Sequence, residues 1–328
     1  MYSISGLTFL CVLIINVFDT KCEDYAEFNQ KGVFATVFTP FNDDGSVNYK
    51  VIPKIATYLK YNGIDGVVVA DTPGEGPNLN LCETKKLLDS WTTAGRPLGL
   101  KVVAQIGGSA LPVIISLAKY AANLQVDALL VLPTPYYKPE DALQLVSLLE
   151  LVAKAAPSLP IIYNDSHLSG LNVDMVSFFK LASERIPQFK GLKTKLEVAL
   201  NVKSSNNLRE DQNIYISDYL SISSALQAGF DTFFDVTASV YPELILEIIK
   251  SCKNSDDTAA IEAQQKLSHL TNKIIAKGGV IPGLKAAAEI VTGYKFGDPR
   301  QPLQPVSQED KNDIKTILEE NGCRISAF

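Results

Sequence analysis

The sequence predicts an α/β protein: a closed (β/α)₈ barrel (TIM barrel) with a C-terminal three-helix extension. After residue 30, short β-rich runs alternate with longer stretches of helical period, and eight such strand–helix units can be counted. Several of the runs are continuously apolar, which is typical of parallel strands that are covered on both faces. The expected strands are Val33–Thr39, Gly66–Ala70, Lys101–Gln105, Ala128–Leu132, Pro160–Tyr163, Phe189–Lys193, Gln212–Ile216 and Thr232–Val236.

The stretches between the strands have the spacing of amphipathic helices, with apolar residues three and four positions apart. Beyond the eighth unit, three further helical patterns follow, so we expect a barrel over residues 30–252 and a helical extension packed on it over residues 253–328. A doubly wound open sheet is the alternative, but no GxGxxG motif follows the first strand, which disfavours its dinucleotide-binding form. The expected helices include Val51–Tyr61, Glu83–Thr92, Val113–Leu124, Ala142–Ala155, Thr258–Ala276, Gly283–Thr292 and Gln308–Glu320.

Composition and charge exclude several classes of protein. The chain has 328 residues, of which 46% are hydrophobic, and a formal net charge of −6, which excludes disordered, collagen-like and coiled-coil classes. An excess of acidic residues disfavours a nucleic-acid partner, because phosphate contacts need clustered Lys and Arg. Five scattered cysteines and two histidines leave no metal-binding pattern and make a histidine-dependent triad very improbable.

The N-terminal segment differs from the rest of the chain. Leu7–Phe18 is an uncharged apolar run, too short for a comfortable membrane span and of the length of a signal-peptide core. We expect residues 1–22 to be a signal peptide, which predicts the secretory pathway or an extracellular location and no membrane association after its removal. No Lys or Arg precedes the run, so an uncleaved anchor and a misassigned start remain alternatives.

Four residues with reactive side chains lie at the ends of predicted strands or shortly after them. Thr72 lies after the second strand, Tyr137 after the fourth, Tyr163 at the end of the fifth and Lys193 at the end of the sixth. In an enclosed, dry pocket a lysine amine loses its proton more readily and can attack a carbonyl carbon to form a Schiff base. Hydroxyl groups nearby can move the protons that this reaction requires. The arrangement therefore indicates imine chemistry at the barrel mouth.

Several motifs are spread along the chain: GVFATVFTPF, TPGEG, VVAQIG, TPYYKP, IIYNDSHLSG, FKGLK and GLKAA. Together they resemble the N-acetylneuraminate lyase and dihydrodipicolinate synthase family of Schiff-base aldolases. By this resemblance Lys193 is the Schiff-base lysine, Tyr163 transfers the proton, and Thr72 and Tyr137 are relay hydroxyls, the second tyrosine often belonging to a neighbouring subunit. The resemblance also implies a homotetramer, a small-molecule 2-keto acid substrate, no cofactor and a cytoplasmic location as the alternative to secretion.

The residue at position 168 favours one branch of the family. Synthase members typically carry an arginine there to hold a second carboxylate, whereas this chain has Leu168, which cannot pair with a carboxylate. The sequence therefore predicts a lyase that cleaves a 2-keto sugar acid, such as N-acetylneuraminate, to pyruvate and an aldose, N-acetylmannosamine.

Other positions depart from the family pattern. Thr72 is followed by Pro73, which offers neither a hydroxyl nor an N–H to a keto-acid carboxylate. The acidic pair that binds sugar hydroxyls in lyases is replaced by Tyr219 and Leu220, and a Gly-Ser-Thr turn by Asp235-Val236-Thr237. Two alternatives stay open: a related pyruvate-dependent aldolase with another 2-keto acid, or a secreted, catalytically silent homologue. The expected substrate-binding residues are Thr72, Gly74, Lys195, Ser217, Tyr219 and Val236.

Two further interpretations concern single residues. Strand alternation puts Lys195 on the same face as Lys193, where its charge would repel that of Lys193, favour the neutral amine and replace the missing carboxylate contact. The alternative is that Lys195 turns outward where the strand ends. Asn164 begins a glycosylation sequon, and we expect it to remain unmodified because a glycan there would block the barrel mouth.

Overall fold

A computed structural model describes residues 27–325 and confirms the predicted fold. Eight parallel strands pair in chain order, and the last pairs with the first to close the barrel. The predicted signal peptide over residues 1–22 lies outside the described residues. The strands are β1 Gly32–Thr36, β2 Gly66–Val69, β3 Lys101–Ile106, β4 Ala128–Val131, β5 Ile161–Asn164, β6 Phe189–Thr194, β7 Asn213–Ile216 and β8 Thr232–Asp235.

Helices follow the strands and form the outer layer. They are α1 Ile52–Tyr61, α2 Leu81–Gly95, α3 Leu111–Leu124, α4 Ala142–Ala155, α5 Met175–Arg185, α6 Leu196–Ser204, α7 Ile222–Gln227 and α8 Pro242–Lys253. The predicted extension is present as α9 Asp257–Gly278, α10 Val280–Thr292 and α11 Gln308–Glu320. Among the described residues, no helix combines the length and apolar character needed to cross a bilayer.

Side-chain caps define where several helices begin. In α2 the Asn80 side chain accepts a hydrogen bond from the Glu83 N–H at 3.0 Å, and the Glu83 carboxylate accepts one from the Asn80 N–H at 3.0 Å. This reciprocal pair satisfies backbone donors that a helix leaves free at its N-terminus. Ser307 caps α11 in a similar way, accepting from the Asp310 N–H at 3.0 Å.

The barrel wall separates two apolar regions. Alternate residues of each strand point into the barrel or out toward the helices. The outer region is the larger and includes Tyr163 and Leu192. Gly191 permits close packing inside, because a Cβ there would lie 1.8 Å from the Asn213 carbonyl oxygen. The inner core consists of Phe28, Phe34, Val68, Val103, Ala128, Leu130, Ile162, Tyr215 and Phe234.

A buried ion pair joins the extension to the barrel mouth. Lys285 of α10 lies 3.0 Å from the Glu75 carboxylate in the loop after β2, and both side chains are buried. The second Glu75 oxygen accepts a hydrogen bond from the Arg300 N–H at 2.8 Å, and the Lys285 ammonium lies 4.2 Å from the centre of the Phe41 ring. The extension therefore holds the loop that carries Thr72 and Gly74.

Candidate active site

Lys193 lies inside the barrel near the carboxyl end of β6. Its register partner on β5 is Asn164, whose side chain also points inward, whereas Leu192 and its partner Tyr163 lie in the outer region. The residue is 6% exposed, so its amine is largely removed from water. The Lys193 Nζ lies 2.5 Å from Asp71 Oδ2, a carboxylate that is fully buried. The amine singled out by the sequence is thus enclosed and paired with a carboxylate.

Asp71 is held by a chain of buried polar side chains. The Asn164 Nδ2 donates to Asp71 Oδ1 at 3.1 Å and to Gln105 Oε1 at 3.0 Å. The Gln105 Nε2 donates to the Ala70 carbonyl at 2.7 Å. Ala70 has a φ of 61°, in the left-handed region, where the chain turns out of β2 toward Asp71. The network spans β2, β3, β5 and β6 and fixes the carboxylate against the lysine.

A second carboxyl group lies within electrostatic range of Lys193. Asp235, at the end of β8, is buried, and its Oδ1 accepts hydrogen bonds from the Thr237 N–H at 2.8 Å and the Thr237 hydroxyl at 2.6 Å. Burial raises the pKa of Asp235; the Thr237 hydrogen bonds and the positive charge of Lys193 oppose that shift. Two buried carboxyl groups, those of Asp71 and Asp235, therefore act on Lys193.

Tyr163 lies on the other side of the barrel wall from Lys193. Its ring packs against Phe178 of α5, with ring centres 4.8 Å apart, and its hydroxyl has no hydrogen-bond partner among the described residues. Burial raises the pKa of this phenol. The proton-transfer role implied by the resemblance stays a prediction, because this structure does not bring the phenol to the amine.

The two predicted relay hydroxyls lie in loops above the barrel. Thr72 is half-buried and lines a cavity of about 410 Å³ together with Ser166 and Leu168. Tyr137 is 85% exposed and packs edge-on against Tyr136, with ring centres 5.0 Å apart. Lys193 is not among the residues that line this cavity. Neither Thr72 nor Tyr137 is hydrogen-bonded to the Lys193 amine in the described part of the chain.

The positions expected to bind substrate are differently placed. Gly74 is buried, and its carbonyl accepts a hydrogen bond from the Thr39 hydroxyl at 2.5 Å. The Ser217 N–H donates to the Thr194 carbonyl at 2.9 Å. The Tyr219 hydroxyl donates to Asn272 Oδ1 of α9 at 2.9 Å, and Val236 is half-buried after β8. Their substrate-binding role stays a prediction.

Lys195 does not share the inner face of β6 with Lys193. The strand ends at Thr194, and Lys195 is the exposed residue that precedes the first turn of α6. The alternation of a strand applies only while the strand continues, so strand parity does not place this side chain. Its action on Lys193 and its contact with substrate stay predictions.

Sequence reasoning missed the polar residues that contact or surround Lys193: Asp71, Gln105, Asn164 and Asp235. Asp71 and Asp235 stand at the carboxyl ends of strands, the position from which barrel enzymes present reactive groups, and this signal could have found them. Asn164 ends β5 and shares this signal, whereas Gln105 of β3 is recognised as part of the site only from its partners. Within residues 27–325, no cluster of His, Cys, Asp and Glu could hold a metal ion.

Comparison with known proteins places the chain in a family. The model of the dihydrodipicolinate synthetase family matches residues 29–321. N-acetylneuraminate lyase of Rattus norvegicus is 28% identical over 284 residues, 85% of this chain and 88% of that protein. The 4-hydroxy-tetrahydrodipicolinate synthase of Prochlorococcus marinus is 30% identical over 292 residues, 87% of this chain and 93% of that protein. The solved N-acetylneuraminate lyase of Proteus mirabilis has a TM-score of 0.83 at 29% identity, covering 90% of this chain and 99% of that one. The chain belongs to the dihydrodipicolinate synthetase family of Schiff-base aldolases.

Proposed function

We propose that this protein is a Schiff-base lyase that reversibly cleaves a 2-keto sugar acid, such as N-acetylneuraminate, to pyruvate and an aldose. The observation that carries the proposal is the position of Lys193, whose amine is enclosed inside the barrel at the carboxyl ends of the strands. Barrel enzymes place their reactive groups at that end. A lysine that served only to carry surface charge would be exposed to water.

The proposed chemistry uses the amine as a covalent electron sink. The Lys193 nitrogen attacks the ketone carbon, water leaves, and a protonated imine forms. The imine draws the electron pair of the bond between the third and fourth carbons of the keto acid, which releases the aldose. The resulting enamine takes a proton on carbon, and water releases pyruvate from the lysine.

The choice of substrate rests on Leu168. Relatives named as lyases and relatives named as synthases match this chain with similar identity, 28% and 30%, so overall similarity does not separate the two activities. Leu168 lines the same cavity as Thr72, and its apolar side chain cannot pair with the second carboxylate of a synthase substrate. This supports the lyase.

Two other functions are favoured by specific observations. Pro73, Tyr219 and Val236 alter the positions expected to bind a sugar acid, which favours an aldolase for another 2-keto acid. The pairing of Lys193 with Asp71 and the outward position of Tyr163 favour a catalytically silent homologue that serves as a binding or structural protein.

Trapping the imine tests the proposal. The protein is incubated with pyruvate and borohydride, and the reduced adduct is located by peptide mass mapping. We expect an adduct on Lys193 and none on Lys285, a second buried lysine that belongs to α10 and is paired with Glu75. The Lys193→Arg variant should give no adduct. Absence of an adduct from the unaltered protein would establish the silent homologue.

Cleavage assays then separate the two aldolase functions. N-acetylneuraminate and a panel of other 2-keto sugar acids are supplied at equal concentration, and pyruvate release is measured. Preferential cleavage of N-acetylneuraminate supports the lyase, whereas preference for another keto acid supports the related aldolase.

We further propose that the protein assembles as a homotetramer in which Tyr137 faces a neighbouring subunit. Tyr136 and Tyr137 are both 85% exposed and line a broad groove of about 1390 Å³. Such exposed aromatic surface is typical of an interface between proteins. Analytical ultracentrifugation of the protein and of a Tyr136→Glu variant tests this: a tetramer that the variant disrupts is expected, and a monomer in both contradicts it.

A further inference from the structure

We propose that Asp71 is the catalytic acid–base partner of Lys193, exchanging protons with the amine and with the departing oxygen during imine formation. This inference rests on the proposed Schiff-base function. Its basis is the 2.5 Å contact between Asp71 Oδ2 and Lys193 Nζ, the atom that would react, in a part of the barrel that is largely removed from water. Asp71 touches the reacting atom directly.

The other titratable groups near the amine do not make this contact. The Tyr163 hydroxyl has no hydrogen-bond partner in the described part of the chain and lies on the outer side of the wall. Asp235 directs Oδ1 to Thr237, and its only described side-chain hydrogen bonds are with that residue. Asp71 is the one side chain within residues 27–325 that is hydrogen-bonded to the Lys193 amine.

The surroundings of Asp71 select which oxygen faces the lysine. The Asn164 Nδ2 donates to Asp71 Oδ1 at 3.1 Å and to Gln105 Oε1 at 3.0 Å. The other oxygen of Asp71, Oδ2, therefore accepts the hydrogen bond from the Lys193 amine. A group held by buried hydrogen bonds needs little reorganisation when it acts. The network therefore explains how a carboxylate can remain aligned with the amine through several proton transfers.

The steps balance with no further reactant. Asp71 takes one proton from the Lys193 ammonium, which leaves a neutral amine and a carboxylic acid. The nitrogen lone pair forms a bond to the ketone carbon, and the carbonyl π pair moves to oxygen. A proton passes from that nitrogen to that oxygen, which gives a neutral carbinolamine.

Loss of water completes the imine. The Asp71 carboxylic acid donates its proton to the carbinolamine hydroxyl, the carbon–oxygen bond breaks with its electron pair on the departing water, and the nitrogen lone pair forms the carbon–nitrogen double bond. The ammonium and carboxylate have become an iminium and a carboxylate. The site therefore begins and ends with one positive and one negative charge, an arrangement suited to a low-dielectric interior.

The test measures how fast pyruvate becomes attached to Lys193. Adduct formation is followed by borohydride quenching and intact-protein mass between pH 5 and pH 9, in the unaltered protein and in Asp71→Asn, Asp71→Glu and Asp71→Ala. Asp71→Asn keeps an oxygen for the Asn164 hydrogen bond. The matched control is Asp211→Asn. It removes the carboxylate that lies 2.5 Å from the Nζ of Lys190, a lysine that is on the same strand as Lys193 but outside the site.

The expected result is a slower reaction in the absence of the carboxylate. Asp71→Asn should lower the rate at neutral pH by about 10²-fold or more, because dehydration of the carbinolamine lacks its acid. Asp71→Glu should restore part of the rate, formate should restore part of it in Asp71→Ala, and Asp211→Asn should leave it unchanged. Circular dichroism confirms that each variant is folded.

Two results would overturn the inference, and they differ in what else they remove. An Asp71→Asn variant that forms the adduct at the original rate or faster would show that the carboxylate only restrains the amine; the Schiff-base function would then stand without this role. An unaltered protein that forms no adduct would remove the proposed function and the inference together.

Discussion

Tyr163 and Lys193 lie on adjacent strands of the barrel and face opposite sides of its wall. Tyr163 pairs in register with Leu192, and Lys193 with Asn164, so the residues that share the inner face are Asn164 and Lys193. Since neighbouring residues of a strand point to opposite faces, the inward position of Asn164 directs Tyr163 outward. The polar partner of the amine is Asp71, which contacts Lys193 directly through Oδ2 and is held by Asn164 at Oδ1.

Removing the Tyr163 hydroxyl should not destabilise the protein. Tyr163→Phe deletes a buried hydroxyl that has no hydrogen-bond partner among the described residues, so the free energy of unfolding should stay unchanged or rise by about 1 kcal/mol. The measurement is urea denaturation followed by tryptophan fluorescence.

Tyr241→Phe is the matched control for that experiment. The Tyr241 hydroxyl is equally buried but hydrogen-bonds to Thr271 at 2.6 Å, so its loss should lower the free energy of unfolding by about 1 kcal/mol. A larger loss in Tyr163→Phe than in Tyr241→Phe would contradict the outward, unpartnered position of the Tyr163 hydroxyl.

The Asp235 carboxyl should make stability depend on pH. Burial raises its pKa above the ordinary value of 3.8, so the folded state binds this proton more tightly than the unfolded state. The stabilisation that comes from protonation of Asp235 is therefore complete below about pH 3.8, and it is lost as the pH rises through the folded-state pKa of Asp235. Relative to Asp235→Asn, the unaltered protein should lose stability with rising pH, as measured by thermal unfolding across that range.

Asp44 supplies a control of opposite sign. The Ser46 hydroxyl and N–H hold the pKa of this exposed carboxyl below its usual value. Relative to Asp44→Asn, the unaltered protein should gain stability as the pH rises. The same slope in both comparisons would contradict the assignment of the Asp235 effect to burial.

Breaking the ion pair between Lys285 and Glu75 should destabilise the protein severely. Lys285→Met leaves the Glu75 carboxylate buried without its cation, which costs about 3–5 kcal/mol in comparable cases. Lys295→Met, which breaks an exposed pair with Asp43, should cause a much smaller loss. Chemical denaturation gives the free energy of unfolding of both variants. An equal loss in the two would mean that the position of α10 does not depend on the buried pair.

Asn164 should carry no glycan in the folded protein. It heads a sequon, but its Nδ2, the atom that a glycan would occupy, donates hydrogen bonds to Asp71 and Gln105 inside the barrel. Expression through a secretory pathway, followed by mass mapping with and without peptide N-glycosidase, should give an unmodified peptide. A glycan on protein that retains its fold would place this side chain outside the barrel.

The same expression experiment tests the predicted secretion. Secretion predicts that the protein is recovered from the medium, cleaved near residue 22.

Much of the fold could be predicted because its elements have strong local patterns. Ala142–Ala155 and Gln308–Glu320 were predicted and observed with the same bounds, since each combines helical periodicity with a capping side chain at its start. The apolar runs similarly placed the strands to within a few residues at each end. Lys195 shows the limit of such reasoning, because it follows Thr194, the last residue of β6, and strand alternation does not place a side chain beyond the end of the strand.

By itself the sequence determined the barrel, its extension, the family and the lysine at the end of the sixth strand, because those depend on periodicity and on motifs that are contiguous in the chain. Only the tertiary structure decided what surrounds that lysine. Asp71 lies 122 positions away from Lys193 along the chain and meets it because closure of the barrel brings the ends of β2 and β6 to the same mouth. The side of the wall that Tyr163 faces was likewise decided by strand register, which depends on how β5 packs between its neighbours.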